Sequence, residues 1–488
     1  MAHATIGKTE RNIHIIKKER RPFEEVKFSE IAVIGMGYVG IPTAALFADV
    51  DGFNVTGIQR RSQRSGWKID YLNAGKSPIT GDEPGLAELI KKVVRKGTFR
   101  ATDDFSVCKN ADAILIDVQT PVDENHVPQY EALIEVSKAI GRNMKKGALV
   151  AVESTVSPGT TSFLVKPILE EQSGMKAGED FNLVFSYERV MPGRLLHNMQ
   201  HMPRIIGGIT PKCTQRGIEL YRNIVKAELI PTDCITAEVA KVTENAYRDV
   251  NIAFANEVAL ICESLGVNVH EVRKLVNSLP FDPSTPDKNP FRMMHAPGAG
   301  VGGHCLPKDP WLLKHGLDAY GASKITPQII TESRRTNDSM PQHMKTLIQE
   351  ALKEKGVKLQ NARICILGLA YLEDSDDTRN TPTMPLYSIL KEACKEVVVH
   401  DPYVQRFEGV ALTNELETAI KGKDCVVVMT RHKKYYDIKP KWLKEVLDNP
   451  VIVDGRNVFN QEDCEEAGFT FRGVGIGQRS RRLSEQRG

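Results

Sequence analysis

Long apolar runs are missing from this 488-residue chain: no stretch approaches the roughly 18 consecutive apolar residues that a membrane-spanning helix needs. Paired cysteines are missing too. The nine cysteines are odd in number, scattered, and never spaced C-x-x-C, which excludes a disulfide scaffold and a structural zinc site. Nor is there an excess of charge of one sign. Sixty-five Lys and Arg stand against 62 Asp and Glu, a net +3, so nothing in the charge points to a nucleic acid partner. The N-terminus lacks the apolar stretch of roughly 7–15 residues that marks a secretory signal, because Lys8, Arg11, Lys17 and Lys18 interrupt it. The expectation is a cytoplasmic protein without a membrane partner.

At roughly 150 residues per domain the chain has room for about three units. Residues 1–28 form a basic extension, with seven Lys or Arg against four Glu in 1–27, and residues 479–488 form a basic tail with four Arg against one Glu. Between them the pattern predicts an α/β fold: two Rossmann-like, doubly wound domains joined by a helical middle domain with a long central helix. The first domain, 29–230, carries apolar runs at 31–34, 53–58, 113–118, 149–152 and 183–185 separated by helical stretches, the signature of a parallel sheet. The middle domain, 231–345, opens with 236–266, free of Pro and Gly until Gly266 and so read as one helix with a glycine cap. A Pro-rich stretch, 279–310, is read as irregular and functional. The C-terminal domain, 358–478, repeats the apolar runs as RICILG, VVVHDP, CVVVMT and VIVDGR.

Three groups of residues carry chemistry. Gly35, Gly37 and Gly40 have the G-x-G-x-x-G spacing between a strand and a helix, where a tight turn and bare backbone admit a pyrophosphate. At the end of the second strand an NAD site usually offers a carboxylate to the ribose; here Gln59, Arg60, Arg61 and Ser62 stand instead, and Arg60 or Arg61 could meet a 2′-phosphate, leaving NAD or NADP open. Cys305 lies in GAGVGGHCLPKDP, among glycines and beside His304 and Lys308, whose charges would favour the thiolate; it is the candidate nucleophile. On the long helix Lys241, Asn245 and Arg248 share one face, and Ala246, Ala253 and Phe254 suggest burial, a setting suited to base or oxyanion work. Glu153, Ser154, Thr155 and Glu188 follow strands, where doubly wound sheets place ligands.

Together the segments GMGYVGIPTA, ESTVSPGT, YERVMPGR, EVAKVTENAYRDVNIAFANE, PGAGVGGHCLPKDP, GLAYLEDSDDTRNTP and VDGRNV resemble, in order, those of the UDP-glucose/GDP-mannose dehydrogenase family over 29–478. The phrase ERVMPG and His304 before Cys305 are most similar to the branch acting on UDP-N-acetylmannosamine. The resemblance implies an NAD(P)-dependent, four-electron oxidation of the sugar C6 alcohol to the uronate for polysaccharide biosynthesis, through a thiohemiacetal and a thioester on Cys305. By the same resemblance Lys241 and Asn245 stabilise the oxyanion, Asp309 and Thr155 position water, and Glu188 acts as acid or base. The cofactor would lie on Gly35, Met36, Gly37, Tyr38, Val39 and Gly40, on Val118, Thr120 and Pro121, and on Ser154 and Thr155, with Arg379 reaching it from the last domain. The nucleotide sugar would lie on Glu188, Arg189, Val190 and Pro192, on Lys241, Asn245 and Arg248, on Gly298, Gly300, Gly302 and Gly303, and on Tyr371 and Arg456. Arg292 or His295 would reach it from the partner of a homodimer or higher homo-oligomer built on the long helix. No metal is implied. UDP-N-acetylglucosamine, UDP-glucose and GDP-mannose stay open as substrates, as does a catalytically silent nucleotide-sugar binding module. One departure from the family pattern stands out: Leu372 occupies the position where a lysine is expected at the diphosphate.

Overall fold

The computed structural model describes residues 28–478 except 64, 80–82, 192, 279–292 and 324. Both basic tails, Pro192 and Arg292 lie outside the described residues. The first sheet has eight strands: β1 (Glu30–Ile34), β2 (Asn54–Ile58), β3 (Phe99–Thr102), β4 (Ala113–Ile116), β5 (Leu149–Val152), β6 (Asn182–Phe185), β7 (Arg204–Gly208) and β8 (Leu229–Asp233). Their order is β3-β2-β1-β4-β5-β6-β7-β8. Strands β4, β5 and β6 are buried at every position, as central strands covered by helices on both faces must be.

The expected parallel sheet needs one correction. β7 pairs antiparallel with β6, and β8 runs parallel to β7, so the last two strands oppose the other six. The β6–β7 register sets Val184 opposite Gly208 and Phe185 opposite Gly207. Continued past the end of β6, it sets Glu188 opposite Arg204. An antiparallel strand thus delivers its first residue to the edge where the parallel strands deliver their last.

The second sheet is wholly parallel: β9 (Arg363–Leu367), β10 (Glu396–His400), β11 (Leu412–Thr413), β12 (Cys425–Val428), β13 (Val451–Asp454) and β14 (Thr470–Gly473), in the order β11-β10-β9-β12-β13-β14. Counted from its own first strand this is 3-2-1-4-5-6, the doubly wound order.

The central helix, Cys234–Leu265, joins the two sheets. Asp233 caps its start, accepting the Thr236 N–H at 2.9 Å, and Gly266 ends it at φ +71°, a left-handed conformation that favours glycine. At 1.5 Å per residue it is about 48 Å long. A polar column on the helix fixes its neighbours: buried Asp249 pairs with buried Arg334 of the helix Gln328–Glu354, and Asn256 donates to Asn337 (2.8 Å) while accepting the Gly298 N–H (2.9 Å). That last bond ties the Pro-rich segment to the helix. Of the stretch 279–310, residues 279–292 lie outside the described residues and 293–308 form neither helix nor strand, but Asp309 and Pro310, read as irregular, open the helix Asp309–Tyr320, because proline is tolerated in a first helical turn. Phe254, read as buried, is 59% exposed, because it lies on the same helix face as exposed Tyr247 and Ile261. Among the described residues no helix is long and apolar enough to cross a membrane.

Candidate active site

The glycine loop between β1 and the helix Gly40–Asp49 is shaped by close backbone contacts. Gly35 has φ +105°, and a Cβ there would lie 2.3 Å from the Asp117 carbonyl oxygen; a Cβ on Gly40 would lie 2.0 Å from the Gly35 carbonyl oxygen. A Cβ on Gly37 would meet nothing, which leaves that side of the loop open to a ligand. The opposite wall comes from the ends of β4 and β5: the Ser154 hydroxyl donates to the Val118 carbonyl (2.7 Å) and the Thr120 hydroxyl to the Thr155 carbonyl (2.6 Å), pinning 118–121 to 154–155. Arg379, gripped by Asp377, places its guanidinium carbon 5.3 Å from the centre of the Tyr38 ring, so the C-terminal domain touches the loop. These residues fit a dinucleotide: bare backbone at a helix start for the pyrophosphate, and a slot between the ends of β1 and β4. Gln59 answers the missing carboxylate in part. Its amide oxygen accepts the Met36 N–H (3.0 Å), bracing the loop, while the Lys68 ammonium donates to the Met36 carbonyl (2.9 Å). Arg60 is exposed, and Arg61 turns to Asp103 and Asp70 on the surface.

Cys305 sits where the Pro-rich segment, the central helix and the C-terminal domain meet. Its carbonyl accepts the N–H groups of Lys308 (3.1 Å) and Asp309 (2.9 Å), a tight turn that starts the following helix. The Asp309 carboxylate is fully buried and held at both oxygens, by the Asn245 amide at 2.6 Å and the Lys308 ammonium at 2.7 Å. Lys241 donates to the Glu188 carbonyl (3.0 Å) and lies 5.1 Å from the Tyr187 ring centre. The glycines are packed, not merely loose: Cβ atoms on Gly302 and Gly303 would lie 2.5 and 2.9 Å from Tyr371, one on Gly300 2.8 Å from Pro382, and one on Gly298 2.5 Å from the Arg456 guanidinium.

The expectation that cationic neighbours favour the thiolate is not met. Burial and the charge of Asp309 push the Cys305 thiol above its ordinary value, outweighing Lys241, Lys308 and Arg379, which pull it down. The same burial, with Lys308 and Arg379, holds the His304 imidazole down to about 4, so it adds no positive charge at neutral pH. Tyr371 is pushed up to about 12 by burial and by Asp377.

Not every predicted residue faces this centre. Arg248, two turns along the helix from Lys241, is exposed, and beside it burial and the Arg248 charge lower the His295 imidazole. Arg189 is engaged by Glu244, the Tyr187 hydroxyl and the Pro203 carbonyl, with half-buried Val190 next to it. Pro121 lies at the exposed lip of the cofactor slot. Glu188 forms an ion pair with Arg204.

Arg204 itself was not foreseen. Its guanidinium also donates to Glu153 (2.6 Å) and to the Ser186 hydroxyl (2.8 Å) and carbonyl (2.9 Å), and its carbon lies 3.8 Å from the Tyr221 ring centre. Asp117 joins the cluster: burial, then the charge of Glu153, raise it well above the usual carboxylate range. The signal in the sequence was a lone charge opening an otherwise apolar and glycine run, RIIGG, an unusual place for an unpartnered arginine.

Residues 29–225 match the NAD binding domain of the UDP-glucose/GDP-mannose dehydrogenase family, 235–339 its central domain, and 365–461 its UDP binding domain. These matches define an NAD-dependent oxidoreductase, a nucleotide-sugar dehydrogenase with a UDP-sugar binding domain. The chain belongs to the UDP-glucose/GDP-mannose dehydrogenase family. It is 37% identical over 448 residues to a UDP-N-acetyl-D-mannosamine dehydrogenase of Pyrococcus horikoshii, covering 92% of this chain and 99% of that one. It is 35% identical to another of that name from Campylobacter jejuni, over 85% of this chain and 98% of that one. Among solved structures, an NDP-N-acetyl-D-galactosaminuronic acid dehydrogenase from Methanosarcina mazei Go1 superposes with a TM-score of 0.85 at 43% identity, over 93% of this chain and 97% of that one.

Proposed function

We propose that the protein oxidises the C6 alcohol of a UDP-N-acetylhexosamine, UDP-N-acetyl-D-mannosamine first among them, to the uronate. The observation that carries this reading is the gathering of half-buried Cys305 and Asn245 with buried Lys241 and Asp309 at one place, since binding alone needs no thiol. NAD, when bound on residues 35–40, 118–121 and 154–155, accepts the hydrides, two per sugar. The chain's own residues do the rest. The Cys305 sulfur adds to the aldehyde carbon, its proton passing to the carbonyl oxygen, and the thiohemiacetal is then oxidised to a thioester. Water adds to the thioester, the carboxylate leaves and the thiol is restored. Lys241 and Asn245 donate to the oxygen that carries the developing charge. Asp309 and Thr155 orient the water, and Glu188 takes up its proton. Across the whole reaction one alcohol and one water yield one carboxylate, two hydrides and three protons. The nucleotide end rests on the third domain, with Tyr371 and Arg456 at its mouth.

A second substrate reading has its own support in the Methanosarcina relative, whose name specifies the galacto epimer. The deciding experiment is cofactor reduction with UDP-N-acetylmannosamine, UDP-N-acetylgalactosamine, UDP-N-acetylglucosamine, UDP-glucose and GDP-mannose, each with NAD and NADP. Two NADH per UDP-N-acetylmannosamine is the expected result. One per sugar defeats the thioester route, and none with any sugar makes the protein a silent binding module.

We also propose a homodimer built on the central helix. Tyr247, Phe254 and Ile261 are seven residues apart, hence on one face, and with Leu265 they are 51–68% exposed. Such an apolar stripe calls for a partner, and a second copy of the same helix supplies its complement. Phe254→Glu is expected to halve the mass measured by sedimentation; an unchanged mass would move the interface elsewhere.

A further inference from the structure

The UDP half of the substrate carries two adjacent phosphates, which proteins meet with guanidinium or ammonium groups. Topology fixes where they come to rest. In the second sheet the strand order reverses between β9 and β12, and open parallel sheets take ligands at the C-terminal ends of the strands flanking such a point. The loop leaving β9 begins Gly368, Leu369, Ala370, Tyr371 and Leu372 without a cation; its one arginine, Arg379, is paired with Asp377 and lies over the Tyr38 ring of the cofactor loop. From the end of β13 comes Arg456, partly buried, whose hydrogen bonds go to neutral acceptors: the carbonyls of Met429 (2.8 Å) and Gly300 (2.9 Å).

The loop leaving β12 runs Met429, Thr430, Arg431 and His432 and is pinned to the β9 loop at two points. The Thr430 hydroxyl donates to the Ala370 carbonyl, and His432 accepts the Asp374 N–H at 2.9 Å. Arg431 stands between those pins. About half exposed, it is held by Glu373, the residue next to Leu372, at 2.6 Å. Its charge reaches into the crevice: burial first, and Arg431 second, hold the Arg456 guanidinium down to about 10. The neighbouring lysines point elsewhere. Lys433 pairs with Asp374 at 88% exposure, and Lys434 lies over the Tyr403 ring.

We infer that Arg431 is a diphosphate-binding residue of the nucleotide-sugar site, bringing from the β12 loop the cation that Leu372 withholds from the β9 loop. This rests on the UDP-sugar reading above. Arg456 donates to the Met429 carbonyl at the root of the loop that carries Arg431, and an anion set between the two guanidinium groups relieves their mutual repulsion. Glu373 neutralises Arg431 meanwhile and orients its fork toward the same loop.

The test is titration calorimetry of the full chain with UDP and with uridine, on wild type, Arg431→Ala, and Arg431→Ala combined with Leu372→Lys. Arg431→Ala is expected to weaken UDP by about tenfold or more, the usual scale for losing one charge-assisted contact, and to leave uridine unchanged. In turnover, KM for the UDP-sugar rises while kcat holds. Leu372→Lys in the same chain restores UDP affinity by placing a cation on the adjacent loop. Equal UDP affinity in wild type and Arg431→Ala overturns the assignment, and so does a matching loss for uridine, which would mark a distorted pocket. A wild type that binds neither ligand overturns the UDP-sugar reading itself, and the assignment with it.

Discussion

Cys305→Ser is expected to keep its affinity for NAD and UDP-sugar and to lose uronate formation by roughly a thousandfold or more, the scale seen when a covalent nucleophile is removed. The argument is chemical. An aldehyde carbon gives up no second hydride until a nucleophile makes it tetrahedral, and a serine hydroxyl, far less acidic than a thiol, is a poor nucleophile toward it. Here even the thiol is restrained: burial and Asp309 hold it above its ordinary value of 9.0, so the thiolate is a minor species at neutral pH. Raising the pH increases the thiolate fraction, and the sign is therefore fixed. Alkylation of Cys305 by iodoacetamide in the ligand-free protein should still be accelerating beyond pH 9, the ordinary value. In Cys305→Ser the single hydride equivalent released should be accompanied by an aldehyde that hydroxylamine traps. Full uronate production at an unchanged rate would sink the thioester route, and an alkylation rate level by neutral pH would sink the account of the thiol.

Much of this was legible in the sequence, because it rests on local signals. The glycine loop, the runs of β1, β4, β5 and β6, the central helix to its cap at Gly266, and the second set of strands all announce themselves within a few residues. Cys305 was singled out by its glycines, and Lys241 with Asn245 by helical spacing. What escaped depends on pairing between distant segments. β7 is two isoleucines and two glycines behind an arginine, and β8 is LIPTD; neither is apolar enough to stand out, and nothing local reports that β7 runs backwards. Strand direction decides what Arg204 touches, so the charge cluster at Glu153 and Glu188 was hidden with it. The thiol was misjudged for a related reason. His304 and Lys308 are its neighbours in sequence, but burial and the buried Asp309 carboxylate decide its charge, and burial is not written in spacing. Phe254 likewise reads as core by its type, while it shares the exposed face of the central helix with Tyr247 and Ile261.

Arg204→Met is expected to cost about 3–5 kcal/mol of stability, the scale for stripping one partner from a buried ion pair. Against the roughly 5–15 kcal/mol that holds a typical domain, this is a large share, on the order of 10 °C in the melting of the first domain. Arg204 is 3% exposed, and the register that sets it opposite Glu188 also brings it to Glu153 and, through Glu153, to Asp117. Three acidic side chains thus converge on one guanidinium, with the Tyr221 hydroxyl donating to Glu153 at 2.5 Å. A methionine fills the volume and the contact with the Tyr221 ring but leaves Glu153 and Glu188 buried without a cation. They can recover only by taking up protons, so the folded variant binds more protons than its unfolded chain between the ordinary carboxylate range and neutrality. Stability then falls as pH rises across that interval, and the deficit of Arg204→Met against wild type should be smaller at pH 5 than at pH 8. Adding Glu153→Gln to Arg204→Met should cost less than the two changes summed, because the second removes a charge the first had stranded. Thermal melts of the four proteins at the two pH values decide it: a deficit that is independent of pH, or costs that add, would mean that Arg204 contributes packing alone. The same cation orients Glu188, so Arg204→Met should also slow thioester hydrolysis while NAD binding, which depends on the backbone of residues 35–40, is retained.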